Sequence, residues 1–387
     1  MRKIALSYQL NGHTEVPQLA RFSGLPTSPE PAATPLRNPM MDVLHAVRER
    51  GSISAAAREL GFSYRHIWGQ LKQWEAELGQ ELIRWERGQA AQLSPFGERL
   101  LMAERLAQAR LGPQLENLRA ELERAFALAF EPDAQALSNE VLTLYASHDH
   151  ALSVLQDRAA RPNPGTGLGP VYLDVQFCGS VDAIRALNEG RCVLAGFHSQ
   201  PLADVSSLSA RTYRPLLKPG THKIIGFARR VQGLIVAAGN PLKLRNIDDV
   251  ARRQARFVNR MPGTGTRLLL EELMVQAGLT ASDVVGFAHA ERSHAAVAHA
   301  VASGVADVGL GTEYTARSLG LGFVPVTDER YMLVCLKAAL DTPPMQRLLA
   351  LLRSTGWQAT LHGLPGYVSD FSGEVAAMKR LLPWWKF

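Results

Sequence analysis

Cysteine is scarce and unpatterned in this sequence: Cys178, Cys192 and Cys335 are an odd number, and no two form a Cys-x-x-Cys pair. That argues against both a disulfide framework and a zinc site, and it fits a reducing compartment. Long apolar runs are missing as well. No stretch reaches the roughly 18 residues that a membrane-spanning helix needs. Residues 1–10 lack the charged region, apolar core and small-residue cleavage site of a secretory signal. The expectation is a cytoplasmic chain with no membrane partner. Charge of one sign is not in great excess either: 42 Lys and Arg stand against 36 Asp and Glu, a formal +6. That permits an anionic partner without requiring one.

What is present is length and a composition that changes along the chain. At 387 residues the chain suits two or three domains of about 100 to 200 residues each. Residues 24–39 are rich in proline among Ser, Thr and Ala and read as an arm or linker, with a short strand possible before it at 3–10. Residues 40–50 have helical spacing, Gly51 stops them, and Ser52 or Ser54 can cap a second helix that ends at Gly61. Ser63 caps a third, in which Ile67, Leu71, Trp74 and Leu78 recur at helical spacing. Two helices joined by a glycine turn of this length form a helix-turn-helix. Two short extended runs, 81–85 and 89–93, then flank Arg87 and Gly88 as a basic wing, and a long helical pattern covers 95–130 with an interruption at Gly112 and Pro113. Such a helix either pairs with a partner or lies on its own domain.

A recognition helix needs polar residues near its start for base edges and basic ones for phosphates. Ser63, Tyr64, Arg65, His66 and Lys72 meet that need, with Ser52 at the preceding helix start and Arg84 and Arg87 on the wing. Arg65 suits a bidentate contact to guanine. Trp68 and Trp74 read as core, and the bland alternative for the unit is a three-helix interaction domain.

From residue 141 short apolar strands alternate with helices, the pattern of a parallel sheet. Gly179-Ser180, a helix, Gly190 and residues 193–196 are echoed by Arg292-Ser293, a helix, Gly304 and residues 307–309. Two α/β lobes of related design follow, with extended runs at 223–227, 234–238 and 331–336 carrying the chain between them, and with a ligand in the cleft. Candidate ligand residues are Ser147, His148, Ser180 and His198 from the first lobe, and Arg260, Thr264, Gly265, Thr266, Arg267 and Ser293 from the second. Residues 263–267 run into a helix whose free N–H groups favour an oxyanion, with Arg260 or Arg267 as the charge partner. Each serine or threonine here can equally be a plain N-cap. The loop lacks the Gly-Lys-Ser/Thr ending of a nucleotide-binding motif.

Residues 51–83, with Ser-Tyr-Arg-x-x-Trp at 63–68, resemble the winged helix of ModE-type molybdate-responsive regulators and, more loosely, of LysR-type regulators. The resemblance implies a homodimer on an inverted repeat of double-stranded DNA, with 95–130 supplying much of the interface. ModE-type chains usually end in small β-rich modules, whereas residues 141–373 resemble a periplasmic-binding-protein-like domain of the molybdate and tungstate type. That second resemblance is carried by Arg229 to Leu234, Gly239-Asn240-Pro241, Asn259-Arg260 and Gly263 to Arg267. The expected organisation is therefore an arm (1–38), an α-rich winged helix-turn-helix (39–94), a linker helix (95–130) and a two-lobed α/β sensor of the type 2 periplasmic-binding-protein kind (138–387). No cofactor is expected; the ligand implied is molybdate or tungstate, with formate, another anion or a molybdenum-cofactor species as alternatives.

Catalysis is not expected. His289, His294 and His299 recur every five residues, which does not put them on one helical face. Ser147, His148 and Asp149 are adjacent in sequence, poor geometry for a triad whose members must converge in space.

Overall fold

The computed structural model describes residues 38–84, 90–130, 141–161, 169–201 and 203–385. The chain divides into 1–34, which lies outside the described residues, and a second unit, 35–387. The expected arm, the strand at 3–10, Arg87 at the wing tip, and parts of both expected wing runs also lie outside.

Three helices open the described chain: α1 (Pro39–Arg50), α2 (Ile53–Glu59) and α3 (Tyr64–Leu78). Their ends follow from local chemistry. Asn38, Ser52 and Ser63 each place a side-chain oxygen on an otherwise unpaired N–H of the first turn, and Gly51 takes the left-handed conformation (φ 61°) that closes α1. Leu44, Val47, Ala56, Ile67 and Leu71 bury one face each and meet Leu82 and Leu93 beneath the wing. The wing is a short antiparallel pair, β1 (Ile83–Arg84) and β2 (Gln92–Leu93). Glu75 of α3 accepts from the N–H groups of Leu82 (2.8 Å) and Ile83 (3.3 Å), tying recognition helix to wing. Trp68 and Trp74 pack on this core but are only half-buried.

The linker α4 (Pro95–Phe130) is one unbroken helix of 36 residues. The expected break at Gly112 and Pro113 does not occur. A proline inside a helix removes one backbone hydrogen bond and can be passed without ending the helix.

The remaining strands form one ten-stranded mixed sheet, parallel within each lobe as expected and antiparallel where the lobes join, ordered β4-β3-β5-β10-β6-β9-β7-β8, with β11 (Tyr367–Val368) and β12 (Val375–Ala376) also on β6. In the first lobe β3 (Val141–Ala146), β4 (Tyr172–Phe177) and β5 (Leu194–Ser199) run parallel. In the second, β7 (Phe257–Arg260), β8 (Ala290–Glu291) and β9 (Val308–Thr312) do the same. Two 15-residue strands, β6 (His222–Val236) and β10 (Gly322–Leu336), pair antiparallel and belong to both lobes: Arg330 to Cys335 lie beside β5, and Gln232 to Val236 beside β9. The runs expected at 223–227 and 234–238 are thus one continuous strand. Arg229, Arg230 and Gln232 do not break it, because their partners Asp328 and Glu329 sit opposite on β10. Each lobe has its own apolar cores. Leu144, Leu155, Phe227 and Trp357 centre one in the first lobe; Phe257, Leu270, Val308 and Leu310 centre one in the second.

Candidate functional site

Two groups of residues carry the chemistry. The first is the outer face of α3, where residues 61–66 are all exposed. Ser63 spends its hydroxyl on the His66 N–H (3.2 Å). Tyr64, Arg65 and His66 therefore present their side chains outward from the first turn. Tyr64 stacks on Trp68 (6.2 Å between ring centroids), and His66 on Phe62 (4.8 Å), so each outward polar tip stands on an aromatic base. Lys72 lies over Trp68 and is held by Glu75 at 2.7 Å, which reduces its positive charge toward an outside partner. Arg84 is exposed on the wing, whereas Ser52 is a half-buried cap of α2.

The second group is buried where the two lobes meet at the C-terminal ends of their parallel strands, the usual ligand position of open α/β sheets. From the first lobe Ser147 follows β3, Ser180 opens the helix Ser180–Asn188 after β4, and His198 lies near the end of β5. Ser147 Oγ is 3.4 Å from Ser180 Oγ, which is 3.3 Å from His198 Nδ1. His198 stacks on Tyr331 of β10, with ring centroids 4.1 Å apart. From the second lobe Arg260 ends β7, and the helix Gly265–Gln276 begins five residues later. A Cβ at Gly265 would fall 2.8 Å from His198 Nδ1, and one at Gly179 would fall 2.9 Å from the Gly263 carbonyl oxygen. Glycine at these positions lets the lobes touch, and the Val181 N–H donates to Gly263 O across the seam.

Beneath lies a buried ion network on the crossing strands. Arg230 bonds Asp149 and Glu329 at once; Gln232 donates to Glu329 (2.9 Å) and is 3.4 Å from Thr266 Oγ1; Tyr367 donates to Asp149 (2.7 Å). Burial opposes the Arg230 charge, but Glu329 and Asp149 outweigh it and hold its pKa above the ordinary value. Arg260 differs. It is equally buried, yet its Nε and Nη1 have no hydrogen-bond partner among the described residues. Burial, then repulsion from Arg230, pulls it down to about 9, so it is still charged at neutral pH. His148 is lowered to about 4, and His198 and His294 lie well below 6.5, in each case through burial and then the nearby arginines. All three are neutral near pH 7. His198 Nε2, His294 Nδ1 and Gln232 Oε1 also lack partners.

Several expected ligand residues are occupied elsewhere. The Thr264 hydroxyl, not Thr266, caps the helix, accepting from Arg267 N (3.3 Å) and donating to Met261 O (2.8 Å). Arg267 turns away to Glu271 (2.6 Å) and the Phe287 ring (3.9 Å). Ser293 caps the helix His294–Ala302 and donates to Ala109 O on α4. The structure brings Ser147, Ser180, His198, Arg260, Gly265 and Thr266 together, with half-buried His148 at their edge against Phe177. Sequence reasoning missed Arg230, Gln232, Glu329 and His294 as members of this cluster. The one available signal was charge within β6, where Arg229-Arg230-Val231-Gln232 interrupts an apolar run. Among the described residues no group of three or more His, Cys, Asp or Glu is placed to hold a metal ion, and no helix is long and apolar enough to cross a membrane.

Comparison with known proteins assigns both groups to a class. Residues 40–98 match the bacterial regulatory helix-turn-helix proteins of the lysR family, and residues 166–353 match the PBP superfamily domain. The chain thus carries a segment similar to the lysR-family helix-turn-helix followed by one similar to a periplasmic-binding-protein-like domain. Of the two resemblances carried by residues 51–83, it is the looser one, to LysR, that the match supports. The chain is 31% identical over 109 residues to a protein encoded in the 5′ region of a 2Fe-2S ferredoxin gene in Clostridium pasteurianum, covering 96% of that protein, and it belongs to the same family. It is 30% identical over 200 residues to YvgK, an uncharacterized protein of Bacillus subtilis (strain 168), and spans 64% of that protein's length. Similar solved structures include Corynebacterium glutamicum OxyR (15% identity, 80% of this chain and 89% of that one, TM-score 0.40) and Mycobacterium tuberculosis ArgP (20%, 81% and 95%, TM-score 0.37).

Proposed function

We propose that this chain is a cytoplasmic transcription regulator that binds an inverted repeat of double-stranded DNA as a homodimer and senses a small oxyanion of the molybdate or tungstate type. Its targets are genes for oxyanion uptake or molybdenum enzymes. The observation that carries the ligand class is Arg260. A buried guanidinium with unpaired N–H groups is costly, and a compact anion relieves that cost with charge-assisted hydrogen bonds. Ser147, Ser180, Thr266 and the neutral histidines supply further polar contacts of the kind a tetrahedral oxyanion accepts. On the DNA side Arg65 reads a base edge, Tyr64 and His66 flank it, and Arg84 follows the backbone.

Calorimetric titration of the full-length protein with molybdate, tungstate, sulfate and formate tests the ligand. Binding of molybdate or tungstate that is lost in Arg260→Met supports the reading. Preference for formate moves the ligand to a small carboxylate at the same arginine, and silence toward all four removes the oxyanion assignment. Salt-dependent binding to a defined operator, measured by fluorescence anisotropy, tests the regulator.

A further inference from the structure

The linker helix does not simply leave the DNA-binding domain; it lies across both lobes of its own sensor. On the first lobe, Asn117 grips the end of β4: its amide oxygen accepts from Phe177 N (2.8 Å) and its amide nitrogen donates to Phe177 O (3.3 Å). On the second, Arg110 makes a bidentate pair with Glu291, with Nε 3.0 and 3.1 Å from the two carboxylate oxygens, and the Ala109 carbonyl accepts from Ser293 at 2.9 Å. Positions 110 and 117 are two helical turns apart and share one face, so the anchors are separated by about 10.5 Å along the axis.

Both anchors abut the ligand cluster. The Phe177 ring lies 4.7 Å from His148. Glu291 is the register partner of Arg260 on adjacent parallel strands, so the two side chains leave the sheet on the same face. The Glu291 carboxylate is almost wholly buried, and His289 approaches it at 3.6 Å.

We infer that α4 is a strap that spans the lobe seam and converts movement of the lobes, and the charge state around Arg260, into movement of the DNA-binding domain. The reasoning is geometric. A rigid helix fixes the spacing of its two anchors, so lobes that part must release either Phe177 or Glu291. Electrostatics adds a direction. Glu291 is paired with Arg110 outside, and its charge also acts on Arg260, its register partner inside. An anion seated on Arg260 repels the Glu291 carboxylate and leaves Arg110 as its main partner, which tightens the strap.

The trigger rests on the proposed anion sensing; the strap does not. Hydrogen exchange by mass spectrometry on the full-length chain separates them. Arg110 is 46% exposed, and without it Glu291 keeps His289 at 3.6 Å. In the ligand-free Arg110→Ala/Asn117→Ala double variant, amides 105–118 exchange about tenfold faster than in the wild type, while peptides from α1–α3 and from β6 and β10 are unchanged and report that the fold stands. Unaltered exchange in α4 overturns the strap. With saturating molybdate or tungstate, wild-type α4 slows further; in the double variant residues 258–266 still slow but α4 does not. Equal slowing of α4 in both proteins also overturns the strap. If neither anion alters exchange anywhere in the wild type, the proposed ligand fails, and the strap is judged by the ligand-free comparison.

Discussion

The two binding faces use positive charge in opposite ways. On α3, Arg65, His66 and Lys72 are exposed, with Lys72 already paired to Glu75; at the lobe seam Arg260 is buried without a hydrogen-bond partner for two of its nitrogens among the described residues. Exposed charges gain little individually because water and salt screen them, so a DNA face accumulates many and reads sequence through a few bidentate contacts. A buried charge would concentrate the proposed preference for an anion in one side chain, at a standing cost to stability.

That contrast can be broken in graded steps. The largest effect is expected from Arg230→Met, which strands Asp149 and Glu329 in the interior. Removing one partner of such a network costs about 3–5 kcal/mol, seen as a large fall in the unfolding midpoint in urea. Arg260→Met should act in the opposite sense on the fold, raising the ligand-free midpoint because a buried guanidinium with two nitrogens lacking hydrogen bonds is gone. It should also weaken anion binding by about 100-fold, within the range for truncating a buried charge pair, as read by calorimetry. Arg65→Ala is expected to cost about 1–3 kcal/mol of operator discrimination in competition anisotropy. Lys72→Ala should cost well under that, because Glu75 already holds the lysine.

A pH dependence of stability is also expected, carried mainly by the second binding region. The folded pKa values of His148, His198 and His294 lie below the unfolded value near 6.5. The unfolded chain therefore binds more protons in acid. Their contribution is present above about pH 6.5 and is lost as the pH falls toward the folded values, to about 4 for His148. Thermal melts from pH 7.5 down to 5 should show this decline. A bound anion should flatten it, since it favours the protonated imidazoles.

Legibility in the sequence followed the range of the interaction. Caps at Ser52 and Ser63, the stop at Gly51 and the apolar spacing of Ile67 and Leu71 are decided within four residues, and all stand in the structure. The echo between the helices after Gly179 and Arg292 likewise marked both lobes. Long-range partners were not readable. Nothing near Arg267 says that the Phe287 ring will cover it, although Glu271 one helical turn on was a local partner, and nothing near Ser293 says that its hydroxyl will donate to the Ala109 carbonyl of α4. β6 was read as two runs because its central charges look like a break until Asp328 and Glu329 are seen opposite them. Arg260 was visible as a possible charge partner of the loop at 263–267, but the missing hydrogen bonds of its buried guanidinium are a property of the tertiary structure.

The crossing of β6 and β10 also dictates an order of assembly. Because β10 returns the chain to the first lobe, that lobe is discontinuous: Trp357 completes the core around Leu144 and Phe227, and the Trp384 indole donates to Ser199 from the far end of the chain. Synthesis delivers the whole second lobe before these last pieces emerge. The half of the molecule begun first is finished last, and until then the core around β3, β4 and β5 is covered only in part, by the helices between those strands, which makes the C-terminal segment the final step in completing that lobe.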